Sequence, residues 1–223
     1  MQAVILAAGQ GLRLRPFTEH NPKALVLVNN QPLLFYTLQS LPDSITEIII
    51  VVGYLGQQIV DHFGDSYNNI PITYCWQKEL LGTGDALLCA KDLLKDKFLV
   101  INGDDLYRKS DLEKLILHDQ SILTWESEEA YEFGLKVYND LLIGFDESSK
   151  LKNCGAYVLQ QSFFEEPLVK ITVHEQTEYS LPHTLIQLAK TAQITAVQAS
   201  FWFPIGTPDQ LQLANKYLQR KEP

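Results

Sequence analysis

No stretch of this 223-residue chain is apolar for long enough to cross a bilayer; its longest apolar runs are strand-sized. Cysteine is scarce. Cys75, Cys89 and Cys154 are an odd number in apolar surroundings, with the spacing of neither a disulfide framework nor a zinc site. They read as small buried side chains in a reducing compartment. Positive charge is outweighed: 18 Lys and Arg against 27 Asp and Glu leave a net charge of −9, which argues against general nucleic-acid binding. No charged leader with a cleavage site precedes the first strand-like run, so a secretory signal is not expected and a cytoplasmic location is. No linker, internal repeat or low-complexity segment stands out. The length suits one large domain, or one domain with a modest insertion.

What the chain does have is concentrated near its start. The apolar run Ala3 to Leu6 reads as a buried strand. It breaks into Ala7-Ala8-Gly9-Gln10-Gly11-Leu12-Arg13-Leu14-Arg15-Pro16, followed by Asn21-Pro22-Lys23. Two glycines there let backbone N–H groups approach a ligand closely, and Arg13, Arg15 and Lys23 add fixed cations. That combination at a strand end suits a polyphosphate. Residues 1–30 carry three cations and one anion, a local balance of +2 that an anion site in an acidic chain would need, and that a short window also reaches by fluctuation. A dinucleotide fingerprint would place a third glycine at Leu14 and an acid about twenty residues on; neither is present. A P-loop would follow its glycines with Gly-Lys-Ser/Thr, whereas Lys23 follows a proline. A plain two-glycine turn is the remaining reading of the loop taken alone.

Downstream, strand-like and helix-like segments alternate. Ile45 to Val52, Ile70 to Trp76, Phe98 to Ile101 and Ile122 to Trp125 read as strands. Helices are expected from an Asn30 cap to about Leu41, over Gly56 to Phe63 with Gly64 as its stop, from Gly82-Thr83-Gly84-Asp85 to about Leu94, and from a Ser110/Glu113 capping box to about His118. This order predicts an α/β fold with a doubly wound, mostly parallel Rossmann-like sheet. From Tyr131 to Leu159 strands follow one another without helices, over 133–138, 141–145 and 155–159, and predict a small antiparallel region in the C-terminal half. A helix over 180–189, a strand over 194–199 and a final helix over 208–218 complete the chain.

Open α/β sheets bind ligands beyond the carboxyl ends of their strands. The segments Ala7 to Arg13, Gln77 to Asp85 and Gly103-Asp104-Asp105 each follow a strand directly, so parallel strands would gather all three on one edge.

The opening stretch resembles the signature L-A-A-G-x-G-x-R-x-x-P, then P-K, of the sugar-1-phosphate nucleotidyltransferases, with Leu12 where Thr is common. Compact members of that family act on N-acetylglucosamine, N-acetylmuramate, mannose or glucose 1-phosphates. The resemblance covers nearly the whole chain. It implies transfer of a nucleoside monophosphate from an NTP to a sugar 1-phosphate, giving an NDP-sugar and pyrophosphate, an activity of EC 2.7.7 type. It divides the single domain into a nucleotide-binding half, 1–125, and a sugar-phosphate half, 126–223. It implies nucleotide contacts from Ala8, Gly9, Gly11, Leu12 and Arg13, and from Gln77, Gly82 and Thr83, which match a base-reading segment Q-x-x-x-L-G-T. Asp104 matches the metal-binding Asp of a G-D motif and implies Mg²⁺ there, with Asp105 the less favoured ligand because the motif points to the first Asp; both acids also read as turn formers. Arg13, Lys23 and Asp104 are the implied catalytic residues. Gly134, Glu147 and Asn153 match the sugar side, although the usual E-K-P reads Glu147-Ser148-Ser149, so that Glu147 reads equally as a solvated turn residue.

One position departs from the pattern. The family commonly ends W-x-D-I-G-T-P, its Asp a second metal ligand; here Pro204 occupies that place in Trp202-Phe203-Pro204-Ile205-Gly206-Thr207-Pro208. Asp209 is near, but Thr207, Pro208 and Gln210 make a helix-start pattern that gives Asp209 a structural reason to exist. Two other readings stay open. Loss of the second acid would suit a catalytically impaired protein that binds nucleotide or sugar nucleotide. Trp125, Tyr131, Trp202 and Phe203 would suit an aromatic pocket for phosphocholine, the acceptor of cytidylyltransferases that share this fold.

Overall fold

The computed structural model describes residues 1–173 and 176–219. Ten strands among them form one sheet: β1 (Gln2–Ala7), β2 (Glu47–Val52), β3 (Ser66–Tyr67), β4 (Ile70–Trp76), β5 (Lys97–Asn102), β6 (Ser121–Glu126), β7 (Leu135–Tyr138), β8 (Leu141–Phe145), β9 (Leu151–Gln160) and β10 (Thr195–Gln198). Their spatial order is β7-β8-β10-β6-β9-β5-β1-β2-β4-β3. Strands β5, β1, β2 and β4 are parallel, with Val4 between Ile49 and Val100. The chain winds outward from β1 through β2 to β4, then crosses back to β5 on the other side of β1. The crevice of such a sheet lies at that reversal, between the carboxyl ends of β1 and β5.

Two-residue alternation along these strands divides the core. Ala3, Ile5, Ile48, Ile50, Leu99 and Ile101 face one side and pack with helices α1 (Leu33–Gln39), α2 (Gly56–Phe63) and, further along the sheet, α4 (Lys109–Leu115). Val4, Ile49, Val51 and Val100 face the other and pack with α3 (Thr83–Cys89) and α5 (Leu181–Leu188). A third cluster joins Leu14, Val26, Val28 and Leu33 to Leu211 and Ala214 of α6 (Pro208–Gln219). Because Leu14 is fully buried there, the glycine loop is anchored just beyond Arg13.

The antiparallel region is present and continuous with the main sheet. Strands β7 and β8 form a hairpin at its edge, while β9 runs antiparallel between β5 and β6, two strands that a simple alternation would have made neighbours. Three short antiparallel ladders stand outside the sheet: Leu27–Val28 with Gln31–Pro32, Asp105–Tyr107 with Trp202–Pro204, and Val169–Val173 with Gln176–Ser180.

Three helix starts or ends differ from expectation. Asn30 does not cap α1. Asn29 and Asn30 both take positive φ, 44° and 62°, and turn the chain into the Gln31–Pro32 strand, so α1 begins at Leu33. Asparagine tolerates that conformation, and here it makes a hairpin turn. Helix α4 begins at Lys109 behind Arg108, which places Ser110 inside the helix rather than at its cap. Helix α3 stops at Cys89 and continues only as a 3-10 turn over Lys91–Leu93. The Thr207 cap of α6 is formed: its Oγ1 accepts the Gln210 N–H at 3.3 Å, and Gln210 Oε1 accepts the Gly206 N–H at 2.8 Å.

Candidate active site

The three loops predicted to converge do so. A cleft of about 310 Å³ at the β1/β5 reversal is lined by Gly9, Gly11, Leu12, Arg13, Lys23, Gly103, Asp104 and Gly206, among others. An adjoining cleft of about 420 Å³ shares Leu6, Gly9, Gly11, Leu12 and Asp104 with it, and adds Ala8, Gln77, Leu80, Gly82, Thr83 and Asn102. A recess of about 130 Å³ continues from Leu6, Thr83 and Asn102 to Asp105, Asn153, Gly155, Tyr157, Pro182 and Trp202.

The first cleft is shaped by the glycine loop. Gly11 sits at φ 63°, and a Cβ there would stand 3.0 Å from Thr18 Cγ2 and 3.1 Å from Lys23 Cβ. Only glycine gives that turn while letting Lys23 pass beneath it. Thr18 Oγ1 donates to the Gly11 carbonyl at 2.8 Å and closes the loop. Nothing lies within 4 Å of a Cβ built on Gly9, so the loop is open on its cleft side. Lys23 Nζ forms an ion pair with the Asp104 carboxylate, whose side chains are 14% and 31% exposed. The Arg13 guanidinium lies against Gly206, its Nη2 3.1 Å from where a Cβ on that glycine would be. Gly206 therefore makes room for the cation, a relationship between residues far apart in sequence that no local pattern announces.

The second cleft is built around Gln77. Its backbone N–H donates to the Val52 carbonyl at 2.8 Å, fixing the loop to the end of β2. Its side-chain Nε2 donates to the Gly82 carbonyl at 3.0 Å and to Asp85 Oδ2 at 2.8 Å. Gln77 is buried. Thr83 turns its Oγ1 toward the Leu181 N–H, at 3.1 Å, and so ties the loop to α5. Gln176 and Glu178, on the Gln176–Ser180 strand of the two-stranded ladder, form the outer wall. That arm is held by the Tyr179 N–H, which donates to the Leu81 carbonyl at 2.6 Å. The two side chains escaped the sequence reading because an exposed two-stranded arm carries no motif.

In the recess, Asn153 Nδ2 donates to Tyr157 Oη at 2.6 Å and its Oδ1 accepts the Gly155 N–H at 2.9 Å. Burial holds the Tyr157 phenol well above its ordinary range. Gly155, at φ 71°, is stacked under the Asn102 side chain, with no room for a Cβ. Gly134 and Glu147 do not line this recess. Gly134 is buried, and its carbonyl accepts the Asp146 N–H at 2.8 Å; Glu147 follows on an exposed turn. Both walls draw on both halves of the chain, since Gln176, Glu178 and Gly206 reach the nucleotide side, and Thr83, Asn102 and Asp105 reach the recess.

Asp105 points away from its neighbour Asp104. Its Oδ2 accepts Trp202 Nε1 at 3.3 Å and Tyr107 Oη at 3.4 Å, and its Oδ1 accepts the Ile205 N–H at 3.3 Å. Burial, and then the Asp104 charge, push its carboxyl up to about 7. Pro204 is its partner across the short ladder. Asp209 is exposed in the first turn of α6. The four aromatics considered for a cationic acceptor do not make one cage. Phe203 stacks on Tyr217 at 6.4 Å in the third cluster, Lys152 lies over the exposed Tyr131 ring at 5.2 Å, and Trp202 alone of the four lines the recess.

Fold and site thus define an α/β protein with a polyphosphate-sized crevice at the switch point of its sheet, flanked by a base-sized slot. The sequence matches the family described as Nucleotidyl transferase over residues 2–221, and the chain belongs to that family. It is 34% identical over 229 residues to the bifunctional protein GlmU of Methanocaldococcus jannaschii, covering 99% of this chain and 55% of that protein. It thus spans about half the length of such relatives. It is 31% identical to the UTP–glucose-1-phosphate uridylyltransferase AglF of Haloferax volcanii, covering 99% of this chain and 98% of that one. The solved UDP-glucose pyrophosphorylase from Acinetobacter baumanii shares the fold, with a TM-score of 0.84 at 20% identity, covering 100% of this chain and 94% of that one.

Proposed function

We propose that this chain transfers a nucleoside monophosphate from a nucleoside triphosphate to a sugar 1-phosphate, releasing pyrophosphate. The observation that carries the reading is the Lys23–Asp104 ion pair, set in the crevice taken for the triphosphate, with Asp104 shared by the adjoining slot taken for the base.

Mg²⁺ belongs to the proposal. Among the described residues no group of three or more His, Cys, Asp or Glu side chains could hold a metal. Asp104 is the carboxylate shared by the 310 Å³ and 420 Å³ clefts, which suits an ion that takes a single protein oxygen and completes its shell with phosphate oxygens and water. Bound there, Mg²⁺ would neutralise charge on the α-phosphoryl group.

The acceptor is a phosphate oxygen already ionised at neutral pH, so no general base is needed; the work is positioning and charge neutralisation. Backbone N–H groups from Gly9 to Arg13 cradle the triphosphate, with Ala8 and Leu12 as walls. Arg13 stabilises the departing pyrophosphate. Lys23 draws the α-phosphate and the sugar phosphate together, exchanging part of its Asp104 pairing for phosphate. Gln77, Gly82 and Thr83 hold the base. Asn153 reads sugar hydroxyls in the recess, and Gly134 anchors the turn from which Glu147 approaches the acceptor side. In this reading 1–125 supplies most of the nucleotide site and 126–223 most of the acceptor site. A cytoplasmic location is proposed with it, supported by three free cysteines, two of them buried. No helix among the described residues is long and apolar enough to cross a membrane.

The test is one incubation with Mg²⁺, the nucleoside triphosphates, a pool of sugar 1-phosphates and phosphocholine, read by mass spectrometry. A nucleotide-linked sugar supports the proposal. A cytidine-linked choline product, or nucleotide binding without product, would overturn it.

A further inference from the structure

Among the described residues the Arg13 guanidinium takes part in no hydrogen bond and no ion pair; the nearby acid Asp209 does not reach it. What it lies against is Gly206. Nη2 is 3.1 Å and Cζ 3.5 Å from the place of a Cβ on that glycine, and Gln210 Oε1 is 3.4 Å from the same place. Gly206 has no positive φ, so glycine stands there for space and not for conformation. The guanidinium and the amide oxygen share the room a side chain would fill.

Gly206 is held in a way that a helix start alone does not require. In a capping box the N3 side chain reaches back to the N–H of the cap residue itself. Here Thr207 is the cap and Gln210 the N3 residue, yet Gln210 Oε1 accepts the N–H of Gly206, one residue further back, at 2.8 Å. The preceding N–H, of Ile205, goes to Asp105 Oδ1 at 3.3 Å. Two successive backbone donors are tied by two side chains, one beside the Gly103-Asp104 loop and one from α6. Glutamine and glutamate serve a capping box alike, and a carboxylate would gain from the helix dipole. Glutamate would also set a negative charge beside Arg13.

We propose that Gln210 is a positioning residue for Arg13: its neutral oxygen fixes Gly206 against the guanidinium and leaves that cation's charge free for a polyphosphate. The inference rests on the polyphosphate reading of the 310 Å³ cleft, which Arg13 and Gly206 both line. Gln210 acts through Gly206 and need touch no phosphate itself.

The test is calorimetric titration of inorganic pyrophosphate, with Mg²⁺, into the intact protein and its variants, each also melted on its own. Gln210→Glu keeps an acceptor for the Gly206 N–H, so it should melt at or above the native temperature. It should nevertheless bind pyrophosphate about fivefold more weakly, the scale of a competing exposed ion pair with Arg13. In an Arg13→Ala background the same change should cost less than about twofold, because the two residues act as one unit. Gln210→Ala releases the Gly206 N–H; it should melt lower and weaken binding about threefold, again only where Arg13 is present. A Gln210→Glu protein that binds pyrophosphate as the native does would show a helix cap and nothing more, and would overturn the proposal. A loss of equal size with and without Arg13 would also overturn it, since that is general repulsion of the anion. Native protein that takes up no pyrophosphate would overturn the polyphosphate reading, and the role of Gln210 with it. Pyrophosphate bound by the native protein and weakened by Arg13→Ala, but indifferent to residue 210, would leave that reading standing and remove the role of Gln210 alone.

Discussion

Pro204 stands directly opposite Asp105 in the short ladder that closes the candidate site. Proline has no carboxylate to offer, and Asp105 has both its oxygens engaged by Trp202, Tyr107 and the Ile205 N–H. In the proposed reaction metal binding therefore falls to Asp104, substrate phosphates and water.

A carboxylate returned at this place should strengthen that arrangement. Pro204→Asp is expected to lower the Mg²⁺ concentration needed for half-maximal rate. An unchanged Mg²⁺ requirement would show that another group already fills the role. The measurement is rate against Mg²⁺ at saturating nucleotide.

In the proposed reaction Lys23 and Arg13 carry the charge stabilisation. Lys23→Ala or Arg13→Ala should lower turnover at least ~100-fold, the usual loss for one such group. Lys23→Ala should also leave Asp104 without its cation. A change of under a few-fold in either variant would remove the role assigned to it.

The Asn102–Gly155 contact sets the shared wall of the base slot and the recess. A Cβ on Gly155 would fall 2.1 Å from Asn102 Nδ2, at a φ of 71° that L-residues rarely adopt. Gly155→Ala should cost about 1–3 kcal/mol of stability from backbone strain alone, plus the clash. Adding Asn102→Ala should recover the clash part and leave the strain, so the two changes should not sum in a denaturant titration.

His183 gives a pH signature. Burial holds its imidazole below the usual value of 6.5, and Ser180 Oγ lies 2.8 Å from its Nδ1. The unfolded chain then binds a proton more readily than the folded one between the lowered value and 6.5, so this contribution to stability is full above 6.5 and is lost on acidification through that window. His183→Gln should flatten the fall of melting temperature below pH 6.5; an unchanged slope would contradict the assignment.

The parts of this arrangement visible in the sequence were those written locally. Apolar runs placed Gly9, Gln77 and Asp104 just beyond strand ends, and parallel order alone brought them to one edge. Asn30 misled because the same side chain that caps helices also tolerates the positive φ of a hairpin turn. The insertion of β9 between β5 and β6 was hidden, since pairing partners across the chain leave no local period. For the same reason Gln176, Glu178 and the Arg13–Gly206 contact were invisible. Asp85 stood in the sequence only as part of a helix start; its bond to Gln77 depends on how a loop folds back over eight residues.

The measurement that bears most directly on the central claim is pyrophosphate release from a nucleoside triphosphate, followed with and without a sugar 1-phosphate. Release is expected only when the acceptor is present, with one pyrophosphate for each sugar nucleotide formed, and is expected to be lost in Lys23→Ala. Orthophosphate release independent of any sugar phosphate would contradict it, and so would nucleotide binding with no release at all.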